Sequence, residues 1–471
     1  MLGAFARTER YSQILILDGR VTPDGLDEII ASTDCKVWVY AEDDPRGPLV
    51  GEDTQKMRTC ALPSLELILS ASEHKVYPYS KTFEQAAHDE ICIIHTSGTT
   101  GVPRPIIHTN GFWCAMTAGQ ALSQRHWPRG IAHDGWIGRT GLNCCAPQWL
   151  AGIHAMTMAP VFMDCPCIML PPEVLSPSPA LLKKLMALNH IDGIRCPPQT
   201  IVTLYENPES RAMLKSLKYL VYLGAQLDRS IGDDLCQHVR LTSVIGSTET
   251  GDQLSLKPRD RKLWYTHDFV PESGSKLIRI ESSDHEKELY ELVHDRLAKD
   301  EANFFQSAFW NPAFKDLNRI ETKELYAPIL DSDGRTRWAF AARKDDLTKL
   351  SWLAKFHAQD IEERIQQHAD VKSVYVGGEG RPAPCVIVEA KEGVLDRISE
   401  EQLLEELYET VVAKTNDADI EEIRIPMETV LIAKKEKPFR RNLKQVVVRK
   451  GVEEDYREEI EQAYLRLGKV N

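Results

Sequence analysis

Nothing in this 471-residue sequence suits it to nucleic acid or to a membrane span. Lys and Arg number 57 against 70 Asp and Glu, a formal charge of -13, and no long basic run offers a footprint for a phosphate backbone. No apolar stretch approaches the ~20 residues a transmembrane helix needs. The opening MLGAFARTERYSQ lacks the apolar core and cleavage site of a signal peptide, so a cytoplasmic chain is expected. The eleven cysteines stand singly or as Cys144-Cys145 and Cys165-Pro-Cys167. Without paired C-x-x-C spacing they predict no tetrahedral zinc site, and reduced, mostly buried thiols are expected instead. Internal repeats, low-complexity tracts and long Pro/Gly linkers are also missing.

What remains is ordinary globular composition, 42% hydrophobic and 27% charged. The length exceeds one simple core and implies about two to four lobes. Residues 11–90 alternate apolar runs (QILILDG, KVWVYA, LELILSA) with polar turns, as strands and short helices do. Through 91–250, ICIIHTS, LKYLVYLGA and LTSVIGS each precede a Gly- or Ser-bearing turn, the rhythm of a layered α/β body. Charge density rises after residue 343, where QDIEERIQQH, EEQLLEELYETVVAKT and EEDYREEIEQAYLRL read as amphipathic helices and KSVYV and CVIVEA as strands. The fold class is therefore α/β: a large layered body over residues 1–344 and a small α+β lobe over 345–471, joined at Arg343-Lys344-Asp345-Asp346.

The sharpest motif is His95-Thr96-Ser97-Gly98-Thr99-Thr100-Gly101-Val102-Pro103-Arg104, directly after the strand-like EICII. Small hydroxylated residues and glycines let backbone N–H groups and hydroxyls approach anionic oxygens, and a cation follows to balance charge. Such a run is a polyphosphate cradle, although not of the G-x-x-x-x-G-K-[ST] type. A Ser/Thr/Gly surface turn is the bland alternative, and the buried strand ahead with Gly-x-Pro-Arg behind argues against it.

At these residues the chain resembles the adenylate-forming superfamily of acyl-CoA synthetases, luciferases and nonribosomal peptide synthetase adenylation domains. It is most similar to the adenylation domains of fungal nonribosomal peptide synthetase-like enzymes, whose loop is approached by a segment like Tyr77-Pro78-Tyr79-Ser80-Lys81-Thr82 and left by one like Pro105-Ile106-Ile107-His108-Thr109. The resemblance implies ATP and Mg²⁺ as cofactors, with Thr96, Ser97, Gly98, Thr99, Thr100, Gly101 and Arg104 around the phosphates. In a second block, Ile245-Gly246-Ser247-Thr248-Glu249-Thr250-Gly251, it gives Thr248 the α-phosphate and Glu249 the metal, with Gly246 and Ser247 beside the nucleotide. A hard carboxylate suits Mg²⁺. Taken alone, the block would be a turn with a solvated acid, but it follows the loop by about 150 residues, as in the family.

Further along, the resemblance gives Arg343 and Glu324 nucleotide contacts and makes Asp345 the hinge on which the small lobe turns. Lys437-Pro438-Phe439-Arg440-Arg441-Asn442-Leu443-Lys444 matches a segment whose lysine enters the active site, so Lys444 is the expected catalytic cation. An ammonium there stabilises charge accumulating in an in-line displacement. Without the resemblance, KKEKPFRRNLK would be a basic surface stretch.

Trp149 and Gly152, within Ala146–Gly152, fall where the fungal relatives carry a His-Ala-Ala-Gly segment beside the acyl pocket, and Gly224 and Ala225 are assigned to the same pocket. A core tryptophan is the competing account of Trp149. The segment lacks the Asp that holds an α-ammonium group in amino-acid-activating relatives, which favours a non-amino acid, aryl or α-keto by family analogy. Other departures are Arg104 for Lys, Glu324 for Asp, Leu443 for Gly, and only 94 residues ahead of His95, which implies a shortened N-terminal subdomain. No carrier-protein serine motif, G-x-S-x-G elbow or G-x-G-x-x-G follows the small lobe, as expected either of a free-standing enzyme or of a domain excised from a longer chain. The expectation is an adenylate-forming ligase passing its acyl group to CoA, a separate carrier protein or an amine, with a degenerate, non-catalytic nucleotide-binding protein as the alternative.

Overall fold

The computed structural model describes residues 13–18, 21, 23–42, 57–71, 80–97, 103–171, 174, 176–280, 288–297, 305–344, 347–351, 355–418, 423–441 and 446–470. The fold is α/β, with a large N-terminal body and a smaller C-terminal domain. Two compact units divide the chain: Met1–Lys276 with His294–Ile320 and Ile329–Arg337 form the first, and Leu277–Val293, Glu321–Pro328 and Trp338–Asn471 the second.

In the first unit, QILILDG and KVWVYA supply β1 (Ile14–Ile16) and β2 (Val37–Ala41), the latter parallel to β3 (Arg58–Leu62), while LELILSA is helical over Leu65–Ser70. β4 (Glu90–Ser97) lies between β1, parallel to it, and β5 (Pro103–Thr109), antiparallel to it, in register from Cys92↔His108 to Ser97↔Pro103. The Gly-rich run thus joins two antiparallel strands. Thr109 caps the helix Asn110–Ala121 that follows, its hydroxyl accepting from the Phe112 amide.

β6 (Gly141–Asn143), β7 (Cys167–Met169), β8 (Gly193–Cys196), β9 (Tyr219–Leu223) and β10 (Arg240–Val244) form a parallel sheet in the order β10-β9-β8-β6-β7. Winding from β6 goes one way to β7 and the other way to β8, β9 and β10. A crevice opens outside the carboxyl ends of the strands where winding reverses, here β6 and β8, and ligands of such sheets bind there. Leu142, Ile194, Leu220 and Leu241 pack against Leu182, Leu204 and Leu214. These come from the helices Pro179–Leu188, Pro198–Glu206 and Pro208–Ser216, each opened by a proline whose missing N–H has no intrahelical partner to lose. Strands covered on both faces read as apolar runs, as Tyr-Leu-Val-Tyr-Leu does in β9. β8 departs from this: Gly-Ile-Arg-Cys is buried throughout and carries the charged Arg195. Beyond β10, β11 (Gly246–Ser247) and β12 (Gly251–Asp252) pair as a tight hairpin, followed by β13 (Thr266–His267).

The second unit holds parts of β14 (Ser275–Arg279), β15 (Tyr290–Asp295), β16 (Arg319–Leu330) and β17 (Thr336–Arg343), in the order β17-β16-β15-β14. The two-stranded β18 (Leu347–Lys349) and β19 (Lys355–His357) come next, then a sheet of β20 (Val371–Gly377), β21 (Cys385–Ala390) and β22 (Val430–Ile432). Ile361 and Ile365 of the helix Ala358–Gln366, and Leu403 and Leu407 of the helix Glu400–Leu407, face the strand residues Val376, Val386 and Val388. A capping box between Ser399 and Gln402 starts the latter helix. Among the described residues no helix is long and apolar enough to cross a membrane.

Candidate functional site

The β11–β12 hairpin presents Thr248 and Glu249 at its tip, and its shape follows from local chemistry. Ser247 Oγ accepts from the Thr250 amide at 3.1 Å and sits 2.9 Å from Thr250 Oγ1. Gly251 then turns back with φ +74°, a conformation that favours glycine. Distant side chains pin the tip's backbone: His108 Nε2 donates to the Thr248 carbonyl at 2.7 Å, Asn311 Nδ2 to that of Glu249 at 2.9 Å, and Ser307 Oγ to that of Thr250 at 2.8 Å. All three donors are buried. Burial pushes the His108 imidazole down to about 4, so it is neutral near pH 7 and keeps its Nε2 proton for that bond. Its ring stacks on Phe112 with centroids 4.0 Å apart.

His108 lies on β5, which leaves the Gly-rich run, so one hydrogen bond ties that run's outgoing strand to the Thr248-Glu249 tip. Thr96 pairs in register with Arg104, which is exposed; the side chain of Ser97, and Gly98, Thr99, Thr100 and Gly101 entirely, lie outside the described residues. His95 Nε2 accepts from the Asp18 amide at 2.9 Å, and burial lowers its pKa against the pull of the Asp18 carboxylate. The Asp18 carboxylate also accepts from Trp149 Nε1 at 3.3 Å, which turns that indole N–H toward β1 and β4.

The Ala146–Gly152 segment meets a narrow cavity through Leu150 and Ala151, with His154 just beyond; Arg195, Leu223 and Asp252 line it too. Gly152 itself is a close-approach position, where a Cβ would fall 1.9 Å from the Ala146 carbonyl oxygen. Gly224 and Ala225 are exposed in the turn after β9, next to the lining residue Leu223, and Gly246 is exposed at the start of the hairpin. Sequence reasoning missed His154, Arg195 and Asp252. An arginine inside the apolar run of β8 was the available signal.

Glu324 and Arg343 belong to the second unit. Burial raises the Glu324 carboxyl, against the Tyr326 hydroxyl that donates to it at 3.0 Å and the Arg343 charge. Asp345, Asp346 and Lys444 lie outside the described residues, as do Asn442, Leu443 and Tyr77-Pro78-Tyr79. The chain flanking Lys444 is described: the Val448 amide donates to the Arg440 carbonyl at 2.8 Å and Arg441 bridges to Val447, closing the segment at its base. Its basic side chains are paired: Lys437 with Glu459, Arg440 with Glu454 and Asp455, and Arg441 with Glu389.

The fit to a magnesium ion is chemically sound at one residue. Glu249 is a half-buried carboxylate on a backbone held from behind, and Mg²⁺ takes one or two carboxylates, substrate phosphates and waters.

Residues 11–267 match the AMP-binding enzyme family, and residues 345–468 the AMP-binding enzyme C-terminal domain. An isocyanide synthase–NRPS hybrid of Aspergillus fumigatus is 28% identical over 459 residues, covering 96% of this chain and 28% of its own length. A carboxylic acid reductase of Neurospora crassa is 28% identical over 416 residues, covering 86% of this chain and 38% of its own. The chain thus spans well under half of either relative. The crystal structure of ATP-bound MatB from Rhodopseudomonas palustris shares the fold, with a TM-score of 0.65 at 17% identity over 94% of this chain and 84% of that one.

Proposed function

The chain belongs to the family of AMP-binding enzymes, and from that premise we propose that it activates a carboxylic acid with ATP, forming an acyl-adenylate and releasing pyrophosphate. The observation that carries this is the 2.7 Å bond from His108 to the Thr248 carbonyl, which holds the strand leaving the Gly-rich run against the Thr248-Glu249 tip. A cradle for phosphate oxygens and a carboxylate for their metal belong on one nucleotide. Glu249 would hold Mg²⁺, which supplies charge neutralisation at the phosphates. Thr248 binds the α-phosphate, and the donors behind it keep its backbone from shifting as charge moves. Rate enhancement then comes chiefly from positioning and pre-aimed charge.

In the same proposal Thr96, Ser97, Gly98, Thr99, Thr100, Gly101 and Arg104 bind the β- and γ-phosphates, with Gly246 and Ser247 beside them. Glu324 and Arg343 contact the nucleotide, and Lys444 meets the charge developing between carboxylate and α-phosphate. The lobe beginning at Asp345 turns about that residue to admit CoA, a carrier thiol or an amine. The favoured substrates are non-amino acids, aryl or α-keto, held near Leu150, Ala151 and Leu223. ATP–pyrophosphate exchange over a panel of carboxylic acids tests the proposal. Exchange dependent on one class of acid upholds it, and silence for every acid despite measurable ATP binding replaces it with a non-catalytic nucleotide-binding protein.

A further inference from the structure

Arg195 is a buried cation of the first unit to which the adenylation chemistry gives no role. It is 8% exposed, on the strand at the winding reversal, and it lines the cavity at the carboxyl edge of the sheet. Its guanidinium lies over the Trp136 ring at 3.9 Å, and Nη1 is 3.4 Å from His154 Nδ1. No carboxylate lies within ion-pair distance of it among the described residues. A buried cation normally has an anion or a set of acceptors, because removing it from water unpaired is costly. Here a planar fork of five donors has one weak acceptor and a ring face.

The groups around it are consistent with an acceptor that belongs to the ligand. Burial, reinforced by the Arg195 charge, pushes His154 down to about 3, so its imidazole is neutral. With Nδ1 accepting from Arg195, the His154 proton sits on Nε2, which is buried with no partner. Asp252 is the one carboxylate lining the cavity among the described residues, and it has a donor of its own, Gln120 Nε2 at 2.8 Å from Oδ2, with His133 Nε2 3.5 Å away at ion-pair distance. Burial would raise its pKa, but His133 and the Arg195 charge hold it below the usual range, so it stays ionised. Asp252 acts on Arg195 and His154 from beyond ion-pair distance, so the guanidinium keeps free donors, and an anionic group in the cavity is drawn to Arg195 and repelled by Asp252.

We propose that Arg195 selects the substrate, and that the acid activated here carries a second carboxylate, bound by the Arg195 guanidinium at the end of the pocket away from the reacting carboxyl. This rests on the adenylation proposed above and names its substrate class. The test is ATP–pyrophosphate exchange with two matched series: glutarate, glutaramate and pentanoate; isophthalate, 3-carbamoylbenzoate and 3-methylbenzoate. In at least one series the wild-type kcat/KM for the diacid should exceed that for the methyl-ended acid by about 100-fold, a site built for a polar group discriminating strongly against its absence. Arg195→Met should abolish that preference, mainly through KM, and Arg195→Lys should restore part of it. Equal use of diacid and methyl-ended acid by the wild type overturns the proposal, as does a carboxamide matching the carboxylate or a preference that survives in Arg195→Met. Silence with every acid would count against adenylation itself. Calorimetric titration with glutarate and isophthalate then decides the pocket: binding lost in Arg195→Met upholds the proposal, and no binding to the wild type overturns it.

Discussion

Two short segments carry the residues expected at the reacting phosphate, and they are held by opposite means. The Gly246–Asp252 hairpin is pinned by neutral, buried donors from far along the chain, His108, Ser307 and Asn311, each on a backbone carbonyl. The Lys437–Arg441 segment is held by ion pairs, two of them between partly exposed members, Lys437 with Glu459 and Arg440 with Asp455 at 2.8 Å, and the third reaching the buried Glu389 from Arg441. Neutral bonds in a dry interior are insensitive to salt and costly to orphan. Exposed ion pairs are screened and contribute little. On the function proposed above, such a difference suits one half-site held fixed at phosphate and metal and a second that moves to bring Lys444 in.

The sharpest break of that comparison is Lys444→Ala. Loss of one charge-stabilising group at a reacting centre costs about 10²–10³ in rate. Exchange should fall by that much with thermal stability unchanged, and undiminished adenylation would remove Lys444 from the chemistry.

Next in size is the acid response of the hairpin. His108 is held at about 4 by burial, below the ~6.5 of a free imidazole, so the native state binds fewer protons than the unfolded chain between those values. Its contribution is therefore complete above pH 6.5 and is lost as pH falls toward 4, a total of about 3 kcal/mol. His108→Phe keeps a ring against Phe112 and removes the titration. Urea unfolding at pH 7 and pH 4.5 should show a smaller pH difference in the variant, and an unchanged difference would mean that His108 does not titrate in the folded site.

Asn311→Ala comes third. It leaves the Glu249 carbonyl without its donor, at a cost of about 1–3 kcal/mol. Because that carbonyl backs the acid assigned to the metal, the Mg²⁺ concentration for half-maximal exchange should rise as well. A stability loss with unchanged Mg²⁺ dependence would make Asn311 a packing residue only.

These partners mark the limit of what the sequence made legible. β4, β9 and β10 could be read as apolar runs ahead of Gly- or Ser-bearing turns, and the helices of the C-terminal lobe from the spacing of Ile361 and Ile365 and of Leu403 and Leu407. Thr248 and Glu249 stand in a local motif that sequence alone singles out. His108 meets Thr248 across 140 residues, and Asn311 meets Glu249 across 62, distances at which composition and periodicity carry no information. KKEKPFRRNLK looked like a solvated basic stretch because its acids, Glu389, Glu454, Asp455 and Glu459, lie elsewhere in the chain.

The smallest effect belongs to the C-terminal segment and tests the other half of the comparison. Arg440 donates to Asp455, Glu454 and the Gly451 carbonyl, but its side chain is 50% exposed and that of Asp455 31%. Replacing it by alanine removes ion pairs that water and salt already weaken, and should lower stability by no more than about 0.5 kcal/mol at physiological ionic strength. The loss should shrink further in 1 M salt, where the screening length falls to about 3 Å. Exchange is the more telling readout: if the segment works by moving, loosening one of its ties leaves the rate within about twofold of wild type, a free-energy change of under about 0.5 kcal/mol. A tenfold loss in exchange, or a stability cost as large as that of Asn311→Ala, would mean that the Arg440 cluster is a rigid part of the site and that the two segments are held alike.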